Sequence, residues 1–252
     1  MTLEIPERPN GHPFAAYIFD CDGTLADTMP LHYRGWQRLV ADYGGTFSEE
    51  LFYSLAGTPT EGILEILRDE HGLKILDVPS VARRKEEYFL EMLHEVKPID
   101  AVVEIARDGH GRLPMAVASG GLRHYVELTL DFIGIRSLFD TVVCFEDCAR
   151  AKPFPDPFLE AARRLRVAPE ACLVFEDSHL GVQAATAAGM QCVFLPRVGA
   201  PEILWRGRGS RSRWRPRVPR SSQRCRRAPG HRRADDNLRV AGGRRCAPRC
   251  GL

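Results

Sequence analysis

The sequence predicts an α/β fold in which a parallel sheet, covered by helices on both faces, forms the core and a helical subdomain is inserted behind the first strand. Three observations predict it: five short runs that are apolar at nearly every position, amphipathic segments lying between most of them, and about ninety residues after the first run that hold no convincing strand. A strand buried on both faces reads as a continuous apolar run, and parallel strands need long, usually helical, crossover connections.

In chain order, FAAYIF (14 to 19) is the first strand. The segments LHYRGWQRLVADYG, SEELFYSLAG, TEGILEILRDEHG and SVARRKEEYFLEMLHEV follow, helical in period and punctuated by Gly44, Gly45, Pro59, Gly72 and Pro79. A structureless loop of that length is foreign to a compact domain, so residues 30–98 are expected to form a helical cap that the chain enters at Pro30 and leaves at Pro98. The core is then residues 1–29 and 99–204. LPMAVAS (113 to 119), TVVCF (141 to 145), ACLVFE (171 to 176) and QCVFL (191 to 195) are the remaining strands. LRHYVELTLDFIG, PDPFLEAARRLR and SHLGVQAATAAG are the helices between them, the last with Ser178 at its N-cap and Gly189 at C′.

Charge divides the 252 residues in two. Residues 1–205 carry 19 Lys and Arg against 31 Asp and Glu, whereas residues 206–252 carry 16 Arg against 2 Asp, so the net charge of +2 describes neither part. From Arg206 onward there is no Ile, Phe, Met or Tyr, and disorder is expected of residues 205–252 because such a segment cannot bury enough apolar surface to offset its ordering entropy. Three readings of this Arg-rich tail stay open: the product of a shifted reading frame, an inert tail, and an arm that binds nucleic acid through phosphates. Nucleic acid is not the expected partner, since Trp214 is the one aromatic residue from Arg206 onward. The spacing of Cys225, His231, Cys246 and Cys250 matches no usual zinc pattern.

The first residues, MTLEIPERPNGHP, have neither the basic nor the apolar part of a secretory signal, and no run approaches the ~18 apolar residues that cross a bilayer. A soluble, cytoplasmic, monomeric protein without a membrane partner is expected. Cys21, Cys144, Cys148, Cys172 and Cys192 form no C-x-x-C pair and read as reduced, small hydrophobic residues.

Ligands of a parallel α/β sheet gather at the carboxyl ends of its strands. The first strand delivers Asp20 and Asp22, the second Ser119 with Gly120 and Gly121, the third is followed by Lys152, and the fourth delivers Glu176 and Asp177. An Asp-rich surface turn would explain FDCDGTLADT by composition but not these partners. The set suits phosphoryl transfer through an aspartyl-phosphate: one carboxylate attacks phosphorus, a hard divalent cation such as Mg²⁺ offsets the repulsion between anions, and Lys152 and Ser119 hold phosphate oxygens. The two-residue spacing sets Asp20 and Asp22 on one side of the strand end, one as nucleophile and the other to handle protons.

The segments DCDGTLADT, ASG, AKPFPD and FEDS, in this order, resemble the four motifs of the haloacid dehalogenase superfamily of phosphohydrolases, in particular its β-phosphoglucomutase-like branch. The resemblance spans residues 14 to about 196 and implies a Rossmann-like core with an inserted helical cap. It further implies that Asp20 is the nucleophile and Asp22 the general acid and base, that Ser119 and Lys152 clamp phosphate with Gly120 beside them, and that Mg²⁺ is held by Asp20, Asp177 with Glu176, and the main-chain carbonyl of Asp22. A second FED, Phe145 to Asp147, precedes the lysine motif, so Glu146 and Asp147 read as loop acids. His32 falls where the branch often carries a cap-entry histidine. AGTPTEG (56 to 62) resembles the cap's substrate loop, with Gly57, Thr58 and Thr60 as its binding residues. Ala56 and Thr60 stand where a mutase would have Lys and Arg for a second phosphate. The runs GRLPMAVASG and KPFPDPF resemble bacterial sugar phosphatases of the fructose 1-phosphate or 6-phosphogluconate type. Hydrolysis of a small phosphorylated sugar or sugar acid is the expected activity, with β-phosphoglucomutase as the alternative.

Overall fold

A computed structural model describes residues 5–8 and 11–195. The expectations for the Arg-rich segment and for residues 196–204 fall outside the described residues.

Five parallel strands form one sheet in the order β3-β2-β1-β4-β5: β1 Ala16–Phe19, β2 Met115–Ala118, β3 Thr141–Val143, β4 Cys172–Glu176 and β5 Gln191–Phe194. Each coincides with one of the apolar runs, shortened at its ends. The helices are α1 Met29–Asp42, α2 Glu49–Ser54, α3 Thr60–Asp69, α4 Val78–Glu91, α5 Asp100–Gly109, α6 Arg123–Phe132, α7 Asp156–Leu165 and α8 His179–Ala187. Helix α5 has no counterpart among the expected elements. Its apolar positions Val102, Val103 and Ala106 nevertheless follow helical spacing and are buried.

Strand pleating sends alternate residues to opposite faces, and the core divides accordingly. Phe19, Val117, Leu173 and Phe175 point to one face, where α5 and α6 cover them with Val102, Val103, Val126 and Leu130. Ile18, Ala116, Ala118 and Val174 point to the other, against Phe158, Ala161 and Ala162 of α7 and Ala184 and Ala185 of α8. Small alanines on that side let both helices approach the sheet closely. Phe19 and Phe175, paired across β1 and β4, stack with ring centroids 4.6 Å apart. Helix α8 begins as its sequence requires: the Ser178 side chain accepts from the Gly181 N–H at 3.0 Å, and Gly189 sits past its end at φ +74°.

Helices α1 to α4 build a separate core around Trp36, Leu39, Val40, Phe47, Phe52 and Leu64. The two connections to it run side by side, Asp27 N–H donating to the Lys97 carbonyl and Ile99 N–H to the Leu25 carbonyl, both at 2.9 Å. A smaller cluster of Ala26, Leu31, Phe89 and Val96 packs at this junction.

The five described cysteines are free. Burial pushes their thiols up, Cys148 and Cys172 to about 11 and Cys144 and Cys192 to about 12, so they are protonated and act as hydrophobes. No described helix is long and apolar enough to cross a membrane.

Candidate active site

The residues expected to carry chemistry meet at the carboxyl edge of the central strands. Asp20 directly follows β1, yet its N–H still donates to the Phe175 carbonyl at 3.0 Å, and Ser119 N–H likewise reaches the Val143 carbonyl at 3.0 Å. Sheet hydrogen bonding thus fixes the backbone beneath both side chains. Lys152, from the loop between β3 and α7, donates through Nζ to Asp20 Oδ1 at 2.7 Å and to Glu176 Oε1 at 2.8 Å. All three side chains are buried. Burial alone would lower the lysine's pKa, but Asp20 and Glu176 reverse this and hold it above its usual value. Burial raises Asp20 well above the usual carboxylate range; Lys152 opposes that shift, and Glu176, Asp177 and Asp22 add to it.

Asp20, Glu176 and Asp177 each offer an oxygen, all within 4.8 Å of one another and all buried. Three hard oxygen donors of one charge sign, removed from water, fit a divalent cation of the Mg²⁺ type. Glu176 is engaged on both oxygens, Oε1 by Lys152 and Oε2 by the Ser178 N–H at 2.5 Å, while Asp20 shares the Lys152 ammonium through Oδ1. The Asp22 carboxylate is not part of this cluster.

Two glycines make the arrangement possible. Gly23 lies at φ +83°, and a Cβ there would stand 2.4 Å from Asp177 Oδ2. At Gly181 a Cβ would stand 1.8 Å from Glu176 Oε1. Gly181→Ala is therefore expected to displace Glu176 and strain its hydrogen bonds, lowering stability by about 3 kcal/mol, as measured by urea denaturation. A loss below roughly 1 kcal/mol would show that Glu176 can move freely, contrary to its packing.

Asp22 is held by a different set of partners. Its Oδ1 accepts from Thr28 Oγ1 at 2.7 Å and lies 3.4 Å from His32 Nε2. Lys85 Nζ is 2.8 Å from His32 Nδ1; since an ammonium can only donate, Nδ1 accepts and the ring proton sits on Nε2, facing Asp22. His32 also stacks on Phe89 at 4.2 Å, which fixes its plane. Burial would raise the Asp22 pKa, but the His32 contact, then Thr28 and Lys85, bring it down to about 2. Burial, with the neighbouring acids adding to it, thus leaves Asp20 as the protonatable acid here, whereas Asp22 starts ionised. A carboxylate whose folded value lies below its unfolded one contributes stability that is present above about pH 4 and is lost as pH falls through about 2. With the Asp22 side chain 29% exposed, solvent screening limits this to about 1–2 kcal/mol. In His32→Asn the loss of stability between about pH 5 and 2.5 is expected to shrink, as read from denaturation midpoints. An unchanged profile would remove His32 from this role.

Above the edge lies a cavity of about 310 Å³ that Asp20, Asp22, Ser119 and Lys152 line from the core, and His32 and Lys85 from the helical segment. Gly57, Thr58, Thr60 and Gly120 line it too. Gly57, at φ +86°, sits where a Cβ would be 3.4 Å from Ser178 Oγ and 3.3 Å from Leu180 Cβ, so this loop closes directly onto the start of α8. The Thr60 hydroxyl donates to Glu86 Oε1 at 3.0 Å. Ser119 Oγ accepts from the Gly121 N–H at 3.0 Å, which leaves its own proton to donate. The second FED does structural work. Glu146 accepts from the Arg123 N–H at 3.0 Å, and Asp147 pairs with Arg123 and Arg164. Sequence reasoning passed over Thr28, Lys85 and Glu86. Lys85 and Glu86 could have been found, because they fall on the same helical stripe as Ala82 and Phe89.

Fold and site define the class: an open parallel α/β protein whose acids, buried ammonium and hydroxyl converge at the strand ends beneath a roof of helices. The chain belongs to the haloacid dehalogenase-like hydrolase family, whose model matches residues 17–195. Among its relatives are the fructose-1-phosphate phosphatase YqaB of Escherichia coli, 39% identical over 181 residues covering 71% of this chain and 95% of that one, and a phosphorylated carbohydrates phosphatase of Thermotoga maritima, 32% identical over 71% and 83%. CbbY from Rhodobacter sphaeroides, solved with phosphate, superimposes with a TM-score of 0.65 at 29% identity, covering 73% of this chain and 86% of that one. A β-phosphoglucomutase from Clostridium difficile gives 0.64 at 25%, covering 72% and 84%. The chain is a phosphatase of this family.

Proposed function

We propose that the enzyme hydrolyses a small phosphorylated sugar or sugar acid through an aspartyl-phosphate on Asp20, with Mg²⁺ as cofactor. The observation that carries this reading is the Asp20–Lys152–Glu176 cluster, with Asp177 within ion-binding reach and Asp22 two residues on, at the floor of a cavity that the helical segment roofs. Residues 30–98 act as the cap and residues 1–29 with 99–204 as the core. Bound between Asp20, Asp177 and the Asp22 carbonyl, Mg²⁺ would supply positive charge against the phosphate and keep Asp20 ionised.

An Asp20 oxygen forms the bond to phosphorus as the ester bond breaks, while Lys152 Nζ and Ser119 Oγ hold the nonbridging oxygens. Asp22 gives a proton to the departing alkoxide and then takes one from the water that cleaves the acyl phosphate. Because His32 keeps Asp22 ionised, Asp22 becomes an acid only once substrate displaces that 3.4 Å contact and the carboxylate takes up a proton from water, which it then gives to the ester oxygen. His32, Gly57, Thr58 and Thr60 shape the leaving-group side of the cavity. The reduced thiols of the core support a cytoplasmic setting.

Phosphate release from a panel of sugar phosphates with Mg²⁺, beside an isomerisation assay on β-glucose 1-phosphate, tests the reading. Metal-dependent release supports it; isomerisation without release would make the enzyme a mutase, and inactivity on every ester in both assays would overturn it.

A further inference from the structure

We propose that Glu86 is a specificity-determining residue: it admits leaving groups that offer hydroxyl donors and turns away those bearing a second anion. This rests on the phosphatase reading above and narrows it from any phosphorylated sugar or sugar acid to neutral polyol phosphates.

Glu86 lies on α4, on the side of the helix that faces the cavity, and is 8% exposed. Ionisable groups are rarely buried without a reason. Two donors meet its Oε1: Lys85 Nζ at 3.1 Å and Thr60 Oγ1 at 3.0 Å. No hydrogen bond reaches Oε2 among the described residues. That atom is nevertheless not sealed in, because Thr24 Oγ1 is the only buried, unpartnered side-chain polar atom among them. Oε2 therefore keeps some access to solvent, and the cavity above Asp20 is a space that Glu86 lines. A carboxylate oxygen can only accept, so the partner it can take is a hydroxyl or another donor.

Charge points the same way. Lys85 and Glu86 are both buried and neutralise one another, so this wall of the cavity offers no net positive charge to a carboxylate or second phosphate. Lys85 spends two of its three protons on His32 and Glu86. Arg83 also lines the cavity, but it is an exposed residue and Glu61 lines the same space with the opposite charge. A sugar presenting adjacent hydroxyls fits an alternation of one acceptor and one donor. A sugar acid or bisphosphate would bring an anion toward Oε2.

The test compares kcat/KM of the wild-type enzyme and Glu86→Gln on three kinds of ester: neutral sugar phosphates, p-nitrophenyl phosphate, and sugars with a second anion such as 6-phosphogluconate and fructose 1,6-bisphosphate. An amide keeps the volume and one acceptor but loses the charge. In Glu86→Gln the preference for neutral sugar phosphates over p-nitrophenyl phosphate is expected to fall about tenfold or more, the size of a hydrogen bond to a charged group, and the preference over doubly anionic sugars to fall further. A disturbance passed through Lys85 and His32 to Asp22 would slow all three kinds alike, so unchanged ratios overturn the proposal. It is equally overturned if the wild-type enzyme prefers the doubly anionic sugars, an outcome that leaves the phosphatase reading standing. Only inactivity toward every ester would remove that reading as well.

Discussion

Replacing Asp20 by asparagine is expected to lower phosphate release by about 10⁴-fold or more, as loss of a nucleophile does, while making the metal-free protein more stable. Both effects come from the same carboxylate, the first from its nucleophilic oxygen and the second from its burial. Asp20 is buried among Glu176, Asp177 and Asp22, and its pKa in the folded state lies well above its ordinary value. For an acid shifted upward, folding stability falls as pH rises from about 4 through the raised value, because the unfolded chain ionises more readily. Asparagine has no charge to bury and escapes that loss. Thermal unfolding in a chelating buffer should show the variant ahead of the parent near pH 8, with the gap closing as pH falls toward the usual carboxylate range. A variant that lost activity and stability together would mean that Asp20 is held ionised by more than Lys152.

Lys152→Met should produce the opposite pattern for stability. It leaves two buried carboxylates without their ammonium, and breaking a buried pair from one side costs about 3–5 kcal/mol. Activity should fall by at least about 10²–10³-fold, since a preorganised charge on the transferring phosphoryl group is lost. Lys152 is also the group that opposes the upward shift of Asp20. The acid limb of the pH-rate profile of any residual activity should therefore move to higher pH. A profile that keeps its shape would detach Lys152 from the ionisation of Asp20. Lys152→Arg is expected to rescue charge but not rate, because contacts of 2.7 and 2.8 Å to two separate carboxylates suit a compact ammonium rather than a planar fork.

Much of this was legible in the chain for a definite reason. Strands buried on both faces must be apolar throughout, so AYIF, MAVA and CLVFE stand out, and the residues that follow them are forced to one edge of a parallel sheet. Asp20, Ser119, Glu176 and Asp177 could be read that way. Lys152 could be read from its place after the third strand, though less directly, since it comes from a loop and not from the strand end itself. Lys85 and Glu86 lie within RRKEE, where a charged run ordinarily means a solvated face, and only their helical spacing from Ala82 and Phe89 marks them as the two that turn inward. Thr28 stands at the N-cap of α1, where a threonine ordinarily caps, yet its hydroxyl serves Asp22 instead of the helix. Long-range partners decide such cases, and local sequence does not contain them.

The order of the strands has a consequence for synthesis. Both neighbours of β1 come from far along the chain, β2 beginning at Met115 and β4 at Cys172, while all of α1 to α4, with their own core, lie between β1 and the nearer of them. On the ribosome the helical segment is complete before the first strand has anything to pair with. Asp20 and Lys152 are 132 residues apart, a gap of roughly 7–26 s at ordinary translation rates. Through that interval the aspartate is hydrated and ionised like any other. Only when β4 arrives do burial and the acids after it raise its pKa, so the site acquires its chemistry at the last pairing of the sheet's centre and not before.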